Sequence, residues 1–531
     1  MEFIVSVACG VLPMCSAPNQ AAQATEPDKA DYRVLQVCDG ILWLFEQSPD
    51  AVWPGYNLAA RPVVVYRAKK WALLWGHEGD VEEFTAYPSD WPALNHPVRL
   101  HLGPYEKLAG QLVFDFPIGD AKGVAIGVPD DVSGVPGVEG LPYEAVILGH
   151  IVHEAFHQYQ SEEFGEIPWG REERYPILNA ANSALACLEM RLLIDALRAA
   201  RRDDRRACEE LVRQFVAVRW QRWKHAGSDI EHYERGLELR EGTAKYVEVR
   251  AVDLANDLQY RSRAPADKPL HEKLAGLSAS SLLLTDFESR LTDGAVAPDD
   301  MPRNRVYPVG GTQCYLLDFL GIDWKPAAQR AGESFSYIEL LRRRLGVEEA
   351  RLDELVARAK DRYGYDKIVA ATMAQIEKYR VGFAEALAAF EAQSGQRLEV
   401  TLSTNGLGRS RVSTARKWLM DAGQRSLCTQ YKVYVLTRAG IRLQVESSGI
   451  LELNDWDART RTAVCYARGE TEITVNGSPL TLEEDRLYRF DQISLRAANI
   501  SLECSKPGTV RRSGKRLLID LRPRPAAGKD K

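Results

Sequence analysis

The chain has 531 residues, a length that corresponds to roughly three domains of about 150 residues each. It carries 68 Lys and Arg residues against 74 Asp and Glu residues, and 45% of its residues are hydrophobic. This composition is typical of a folded globular protein and excludes both a fibrous protein and a small disulfide-stapled scaffold. With a formal net charge of -6, the chain as a whole has no electrostatic attraction to nucleic acid or to an anionic membrane surface, so we expect no nucleic-acid partner.

Residues 1–24 have the length of a signal peptide. Phe3 to Leu12 is an apolar stretch, and Ala22-Gln23-Ala24 resembles a small-x-small cleavage site, although Glu2 replaces the usual positive start. We expect export to the periplasm or the extracellular space, and a cytoplasmic protein if this segment is not a signal peptide. No later apolar run approaches the roughly 18 residues that cross a bilayer, so we expect no stable membrane insertion.

Residues 32–142 are predicted to form a strand-rich N-terminal part. Short apolar runs between Pro and Gly residues are typical of β-strands, and they occur at 62–66, 71–75, 98–102, 111–116 and 123–128. A Gly- and Pro-rich loop is predicted at 132–142.

Residues 143–393 have a helical pattern instead. Apolar residues recur at three- and four-residue spacing at 177–198, 207–223, 237–254 and 368–390. The charged segment Arg201–Arg206 is predicted to be a solvated helix end or turn.

After residue 395 the apolar residues alternate with polar ones, which is typical of strands. The clearest alternating runs are 398–402, 431–436, 441–445 and 472–475. We therefore predict a separate all-β domain at 396–521, followed by a disordered tail at 522–531. The fold class predicted for the whole chain is α+β.

The nine cysteines are scattered, and no two of them form a C-x-x-C pattern. The sequence therefore indicates neither a zinc ribbon nor a thioredoxin-like site. In an exported protein, Cys428, Cys465 and Cys504 could include one disulfide, but isolated buried thiols explain them equally well.

The sharpest motif is His153-Glu154-Ala155-Phe156-His157, which has the pattern H-E-x-x-H within an apolar run that we expect to be helical. Two histidines four residues apart lie on one face of a helix and can bind one Zn²⁺ ion, while Glu154 lies where a general base is needed. Nine histidines in 531 residues make an accidental match improbable, with about 0.01 expected. Two hydrogen-bonded core histidines are the alternative interpretation.

A zinc site needs at least one more ligand. No third histidine follows His157 closely, so the third ligand is expected on a later helix, where residues 239–248 offer Glu241. The small residues Gly242 and Ala244 would let this helix pack closely against the helix of the two histidines. A salt-bridged carboxylate is the alternative role for Glu241.

Three segments resemble the gluzincin zinc metallopeptidases, specifically the catalytic domain of the alanyl-aminopeptidase and leukotriene-hydrolase family. The first is His153–His157, and the second is Glu241-Gly242-x-Ala244-x-Tyr246-x-Glu248, which resembles the family segment whose first glutamate binds zinc. The third is Tyr307-Pro308-Val309-Gly310, placed before an apolar helix at 314–320, and it resembles the Y-x-x-G segment whose tyrosine hydrogen-bonds the oxyanion.

The resemblance covers about residues 143–390 and implies a thermolysin-like helical catalytic domain with a Zn²⁺ cofactor. It implies that Glu154 and Tyr307 are catalytic, whereas a packed loop tyrosine is the alternative for Tyr307. The 83 residues between His157 and Glu241 predict a helical insertion at about 170–228. No G-x-M-E-N segment is present, so aminopeptidase specificity is not implied. Gly123–Val128 is predicted as the edge strand that pairs with an extended peptide.

Two neighbouring residues allow two interpretations each. His150, one turn before His153, either supports the site or packs in the core. Glu248 shares a helix face with Glu241 and either orients a metal-binding histidine or forms a surface salt bridge.

The sequence thus predicts a zinc-dependent peptidase that acts on a peptide or protein substrate. A non-catalytic, zinc-stabilised binding or adhesion protein is one alternative, in which the β-domain presents Tyr431, Tyr434 and Trp456 to a partner. A zinc hydrolase of a non-peptide bond is the other. The oligomeric state and the cleavage preference stay open.

Overall fold

The computed structural model describes residues 27–67, 70–89, 91–105, 112–132, 138–167, 170, 172–258, 270–404, 410–413, 416–438, 440–446 and 448–522. The predicted signal peptide, almost all of the predicted tail and part of the predicted loop at 132–142 lie outside these residues. The chain forms two compact units, one from residues 1–171 and 181–372, the other from residues 172–180 and 373–531.

The first element is a helix that the sequence patterns did not predict. Helix α1 spans Lys29–Gln47 and begins with a capping box, in which the side chains of Asp28 and Asp31 each accept a backbone N–H of the other. Its apolar residues from Val34 to Phe45 are buried, except for the half-buried Trp43. The prediction of strands from about residue 32 is therefore wrong for this segment, since the capping box and the apolar spacing both specify a helix.

A six-stranded sheet follows α1. Its strands are β1 (Val63–Arg67), β2 (Trp71–Trp75), β3 (Thr85–Ala86), β4 (Arg99–Leu102), β5 (Val113–Ile118) and β6 (Ala121–Gly127). The strand order is β3-β4-β2-β1-β6-β5, and β6 pairs with β1 in parallel and with β5 in antiparallel. The strand-rich N-terminal region is confirmed, but the expected edge strand at 123–128 is wrong. Because β6 inserts between β1 and β5, β5 forms that edge of the sheet in the described chain.

The middle of the chain is helical, as predicted. Its helices are α2 (Tyr143–Glu163), α3 (Ala180–Arg201), α4 (Arg205–Ala226), α5 (Ser228–Leu237), α6 (Thr243–Asp257), α7 (Leu270–Leu274), α8 (Ala279–Arg290), α9 (Val306–Phe319), α10 (Lys325–Ala331), α11 (Tyr337–Arg344), α12 (Leu352–Tyr363) and α13 (Tyr365–Glu391). A π-helical turn, Glu238–Gly242, joins α5 to α6, and the small hairpin β7 (Leu291–Thr292) and β8 (Ala295–Val296) follows α8. Short 3₁₀ turns lie at Leu58–Ala60, Glu172–Arg174, Gly332–Ser334, Glu349–Arg351 and Asp421–Gly423.

Helix α2 is buried along most of its length and packs against α6 and β6. Within the described ranges, none of the helices combines the length and the apolar composition that a membrane crossing requires.

The second unit contains the C-terminal strands, which confirm the predicted all-β region. They are β9 (Gln396–Ser403), β10 (Ser410–Ser413), β11 (Arg416–Met420), β12 (Arg425–Thr429), β13 (Val433–Arg438), β14 (Ile441–Glu446), β15 (Ile450–Asp455), β16 (Thr460–Ala467), β17 (Glu472–Val475), β18 (Ser478–Pro479), β19 (Leu487–Phe490), β20 (Ile493–Ala497), β21 (Ile500–Cys504), β22 (Gly508–Ser513) and β23 (Arg516–Asp520). A seven-stranded and an eight-stranded sheet share one apolar core, to which β9 contributes Val400 and β14 contributes Leu443.

The side chains in this core test the predictions for the three C-terminal cysteines and for two of the tyrosines. Cys428, Cys465 and Cys504 are buried free thiols, so the alternative of isolated thiols holds for them. Tyr431 is 6% exposed and Tyr434 is fully buried, with its hydroxyl 2.7 Å from the Glu452 carboxylate. The expectation that both tyrosines present a binding surface is therefore wrong, because both point into the core between the sheets.

Glu144 connects three helices of the first unit. Its carboxylate, in the first turn of α2, accepts hydrogen bonds from Arg33 Nε of α1 at 2.6 Å and Lys273 Nζ of α7 at 2.7 Å. Burial opposes the ionised carboxylate, but these hydrogen bonds outweigh it and lower the pKa of Glu144 to about 2.

We predict that Glu144→Gln lowers the free energy of unfolding by about 2 kcal/mol at pH 7. Because the pKa of Glu144 is lower in the folded than in the unfolded chain, its contribution is complete above pH 4.5 and is lost as the pH falls toward 2. Urea denaturation of both proteins from pH 7 to pH 3 measures this difference. The control Glu288→Gln removes a 61% exposed carboxylate and should change little. A Glu144→Gln effect that stays constant with pH would contradict the prediction.

Candidate metal centre

His153 and His157 lie on one face of α2, as their spacing predicts, and their ring centroids are 4.9 Å apart. Both side chains are buried, 5% and 1% exposed. Histidine is costly to bury without partners, so each ring nitrogen has to be accounted for.

Glu241 lies in the π-helical turn and is fully buried. Its Oε2 atom is 3.1 Å from His157 Nε2 and 3.5 Å from His153 Nε2. The structure thus brings together the three residues that the sequence analysis selected as ligands, and their ligand atoms all lie within 4.8 Å of one another.

The orientation of the two rings suits metal binding. His153 Nδ1 is 3.1 Å from Glu248 Oε2, and His157 Nδ1 is 2.6 Å from Gln160 Oε1. A ring that donates from Nδ1 keeps the lone pair of Nε2 for a metal, and both Nε2 atoms face Glu241.

The donor set and its spacing fit Zn²⁺. Tetrahedral zinc ligands at about 2.0–2.1 Å from the ion lie about 3.4 Å from one another, close to the separations at Glu241. Within the described chain, His153 Nε2 and Glu241 Oε1 are buried without a hydrogen bond of good geometry. A dication would satisfy both of these atoms at once.

The charges of the three residues depend on one another. Burial opposes charge on Glu241, but the charge and hydrogen bond of His157 and the close contact with His153 outweigh it and hold the pKa of Glu241 well below its usual value. Burial likewise opposes the imidazolium of His153, yet its contacts with Glu241 and Glu248 raise its pKa to about 10. The chain alone therefore holds a proton where a metal would bind, and metal binding must release it.

Outer residues hold the ligands in place. Glu248 accepts a hydrogen bond from Lys245 Nζ at 2.7 Å, and Lys245 lies 3.3 Å from Asp286. Glu248 thus orients His153, as one of its two interpretations proposed. Gln160 performs the same task for His157, and its Nε2 donates to Thr243 Oγ1 at 2.6 Å. Gln160 belongs to none of the motifs found in the sequence, although it follows His157 by three residues on the same helix.

Glycines allow the helices of the site to approach one another. A Cβ atom on Gly310 of α9 would lie 2.7 Å from the Gly242 Cα, and one on Gly149 of α2 would lie 2.9 Å from the Glu248 side chain. Gly242 therefore faces α9 and not α2, so the expectation that it packs against the histidine helix is wrong. The close approach of α2 and α6 occurs at Gly149 instead.

A cluster of six fully buried charges supports the π-helical turn. It consists of Glu189, Glu234, Glu238, Arg219, Arg222 and Arg305. Arg219 bonds Glu189 and Glu238 at 2.7 Å each, Arg222 bonds Glu189 at 2.6 Å, and Arg305 bonds Glu234. Three positive and three negative groups balance, which buried charges require. Glu238 is three residues before Glu241, and Arg305 is two residues before Tyr307.

Glu154 is buried beside the three candidate ligands, 1% exposed, and its Oε2 atom has no hydrogen bond in the described chain. Burial raises the pKa of Glu154 to about 7, with His153 acting in the opposite direction. His150 Nδ1 lies 3.8 Å from Glu154 Oε1, and burial lowers the pKa of His150 to about 4. His150 is therefore a neutral neighbour of Glu154 at ordinary pH.

Tyr307 is in the first turn of α9, which begins at Val306 and not near residue 314 as expected. Its ring stacks on His153 with a centroid distance of 5.8 Å. Its hydroxyl is buried without a hydrogen bond of good geometry in the described chain, and burial raises the pKa of Tyr307 well above its usual value. The hydroxyl therefore keeps its proton and can donate a hydrogen bond.

Two arginines beside the site were also missed by the sequence analysis. Arg240 directly precedes Glu241, and Arg303 Nη2 is 3.9 Å from Glu241 Oε1. Neither arginine belongs to a recognisable motif, so no signal in the sequence singles it out.

We predict that Gly310→Ala lowers the free energy of unfolding by about 1–3 kcal/mol, because the added methyl group meets the backbone of Gly242. The control is the adjacent Gly311→Ala, whose methyl group would lie nearest to the side chains of Leu283 and Lys245. Its cost should be smaller, since those side chains can move. Urea denaturation measures both variants, and equal costs would contradict the importance of the Gly242–Gly310 contact.

We predict that Glu248→Gln weakens zinc affinity about 10- to 100-fold while the fold is kept, because His153 loses its charged Nδ1 partner. Competition with a chelator of known affinity measures this change. The control Glu272→Gln alters an exposed carboxylate on α7 and should leave the affinity unchanged. An unchanged affinity in Glu248→Gln would show that Glu248 does not orient the ligand.

Comparison of the chain with known proteins found no relative. No protein-family model matches the chain. Neither the curated proteins nor the solved structures contain a match to it.

Proposed function

We propose that the protein is a zinc-dependent peptidase of the gluzincin type, with a thermolysin-like helical catalytic domain. The observation that carries this proposal is the buried convergence of His153, His157 and Glu241 with Glu154 beside them. A closed structural zinc site needs a fourth protein ligand and no general base. Here a carboxylate oxygen of Glu154 lies buried beside the three donors instead, and no described residue forms a hydrogen bond with it.

In this proposal, His153, His157 and Glu241 hold Zn²⁺, which would act as a Lewis acid toward a carbonyl group and a water molecule. Glu154 accepts the proton of the attacking water and returns it to the leaving amine, a role that suits a buried carboxylate beside the three metal-binding residues. The Tyr307 hydroxyl donates a hydrogen bond to the oxygen on which negative charge develops.

The strand β5 is the part of the sheet that suits an extended substrate. The Phe114 ring lies 6.1 Å from the His157 ring, and the Asp115 N–H donates to Gln158 Oε1 of α2 at 3.1 Å. Because β5 is an edge strand in the described chain, a peptide could add to it by backbone hydrogen bonds and pass the metal centre. The same proposal includes export of the protein, because residues 1–24 resemble a signal peptide.

The burial of Tyr431 and Tyr434 weakens the alternative of a binding protein, because it removes two of the three aromatic residues that this alternative needs. Hydrolysis of a non-peptide bond would use the same residues, so only the substrate distinguishes it from peptide hydrolysis.

We predict that the zinc-loaded protein cleaves a complex peptide mixture, and that Glu154→Gln keeps one zinc ion per chain while turnover falls at least 100-fold. Mass spectrometry of the mixture and elemental analysis of the protein measure these two outcomes. The control Glu163→Gln changes an exposed carboxylate on the same helix and should keep full activity.

Full activity in Glu154→Gln would overturn the assignment of the general base. Stoichiometric zinc without cleavage of any peptide would overturn the peptidase, and zinc removal that unfolds the protein would then favour a structural role for the metal.

A further inference from the structure

Strand β5 carries a β-bulge beside the metal centre, at Phe114 and Asp115. The pairing register with β6 shifts there, so that these two residues lie opposite one residue of β6. A bulge bends its strand and changes the direction of the side chains. Phe114 is half-buried, and its ring lies against the His157 ring at an interplanar angle of 83°. The bulge is thus the part of β5 that meets the helix of the two histidines.

The backbone of Asp115 makes the bulge dependent on support from outside the strand. Its φ angle is 51°, in the left-handed region that residues other than glycine adopt rarely. A bulged residue also leaves the regular ladder of its sheet. The N–H of Asp115 donates to Gln158 Oε1 of α2 at 3.1 Å instead. A hydrogen bond from the neighbouring helix therefore holds this conformation.

Gln158 directly follows the candidate ligand His157 and is 5% exposed. Both ends of its amide are used, because Oε1 accepts from Asp115 and Nε2 donates to Glu162 Oε1 at 2.7 Å. Glu162 in turn forms an ion pair with Arg61. An amide accepts from an N–H and donates to a carboxylate at the same time, which neither an ionised carboxylate nor an ammonium group can do. The two partners thus fix the orientation of the Gln158 side chain.

The residues on either side of the bulge are anchored elsewhere. Phe116 and Ile118 are buried in the apolar core of the N-terminal sheet, and Val113 packs against the same core. The bulge between them contacts α2 through the Phe114 ring and the Asp115 N–H. The position of this segment of β5 beside the metal centre therefore depends on its contacts with α2.

We propose that Gln158 is a positioning residue for the substrate, which holds the bulge of β5 against α2 so that an extended peptide meets an already ordered strand beside the metal centre. The inference rests on the proposed peptidase function and on pairing of the peptide with β5. A strand that becomes ordered only on binding reduces affinity by the entropy lost in ordering, whereas a preorganised strand does not.

This role affects binding and leaves the chemical step unchanged. The candidate ligands His153 and His157 are oriented by Glu248 and Gln160, and Gln158 takes no part in those hydrogen bonds. Because Asp115 is exposed, water can replace Gln158 as the partner of its N–H. Loss of the Gln158 amide should therefore cost little stability.

The variant Gln158→Met tests the inference, because methionine is similar in length but has no amide to bond both partners. We expect the zinc-loaded variant to show a KM raised about tenfold and a kcat within about twofold of the original. The probe is a synthetic copy of one peptide that the unaltered protein cleaves in a mixture. The urea midpoint should change little. A lower kcat at the original KM would contradict the inference.

Amide hydrogen exchange supplies a readout that does not depend on turnover. In Gln158→Met, mass spectrometry should detect exchange about tenfold faster in the segment 113–118, because the bulge opens more often. Unchanged exchange in this segment would overturn the inference. The variant Gln158→Ala replaces the methionine variant if the latter does not fold.

The matched control is Gln329→Met. Gln329 is also a half-buried glutamine in contact with α2, since it accepts from Trp53 Nε1 and donates to the Tyr159 hydroxyl, each at 3.3 Å. Its replacement should leave the KM at the original value. An equal rise of the KM in both variants would reveal a general disturbance of α2 and would refute a specific role for Gln158.

An exchange of acceptor and donor should restore binding. In the double variant Gln158→Glu with Glu162→Gln, the new carboxylate can accept from the Asp115 N–H and the new amide can donate to that carboxylate. We expect the KM to return to within about threefold of the original value. A folded double variant whose KM stays as high as that of Gln158→Met would contradict the inference.

The unaltered protein separates this inference from the proposed function. If it cleaves peptides while Gln158→Met keeps the original KM, the positioning role is refuted and the peptidase is not. If the unaltered protein cleaves no peptide, the peptidase is refuted, and the positioning role with it.

Discussion

The need to neutralise buried charge is the constraint on which the arrangement of the candidate centre depends. Six buried charged side chains join α3, α4, α5, the π-helical turn and the residue that precedes α9, and they balance one another. Removal of one partner from such a cluster typically costs several kcal/mol, because it leaves the other charge unpaired. The cluster holds Glu238 and Arg305, and through the backbone it holds Glu241 and Tyr307. The positions of Glu241 and Tyr307 thus depend on this ionic support.

The candidate ligands follow the same principle. His153, His157 and Glu241 form a buried group whose Nδ1 atoms are fixed by Glu248 and Gln160. Each of these outer residues is itself hydrogen-bonded, Glu248 by Lys245 and Gln160 to Thr243. Such a layered arrangement leaves the ligand atoms few alternative positions, which reduces the reorganisation that metal binding requires.

Residue spacing within a single helix or strand was enough to predict the helix faces and the strands of this chain. The four-residue spacing of His153 and His157 specifies a shared helix face, and alternating apolar residues specify the C-terminal strands. The wrong predictions concern contacts between distant segments: Gly242 meets Gly310 across 68 positions, and β6 becomes a central strand because it pairs with β1. The position of Arg303 beside Glu241 could not be predicted either, because the two residues are far apart in sequence and only the fold brings them together. The wrong prediction for helix α1 has another cause, because the capping box formed by Asp28 and Asp31 is a local pattern that could have been recognised in the sequence.

The π-helical turn has a consequence for how this chain can change in length. Glu238 must face the ionic support while Glu241 faces the histidines, and Glu248 must still reach His153 seven positions later. One inserted or deleted residue rotates everything downstream in a helix by about 100°. A single deletion between Glu238 and Glu248 would therefore turn one carboxylate away from its partner even if every residue type were retained. In this stretch the number of residues is as strictly determined as their identity.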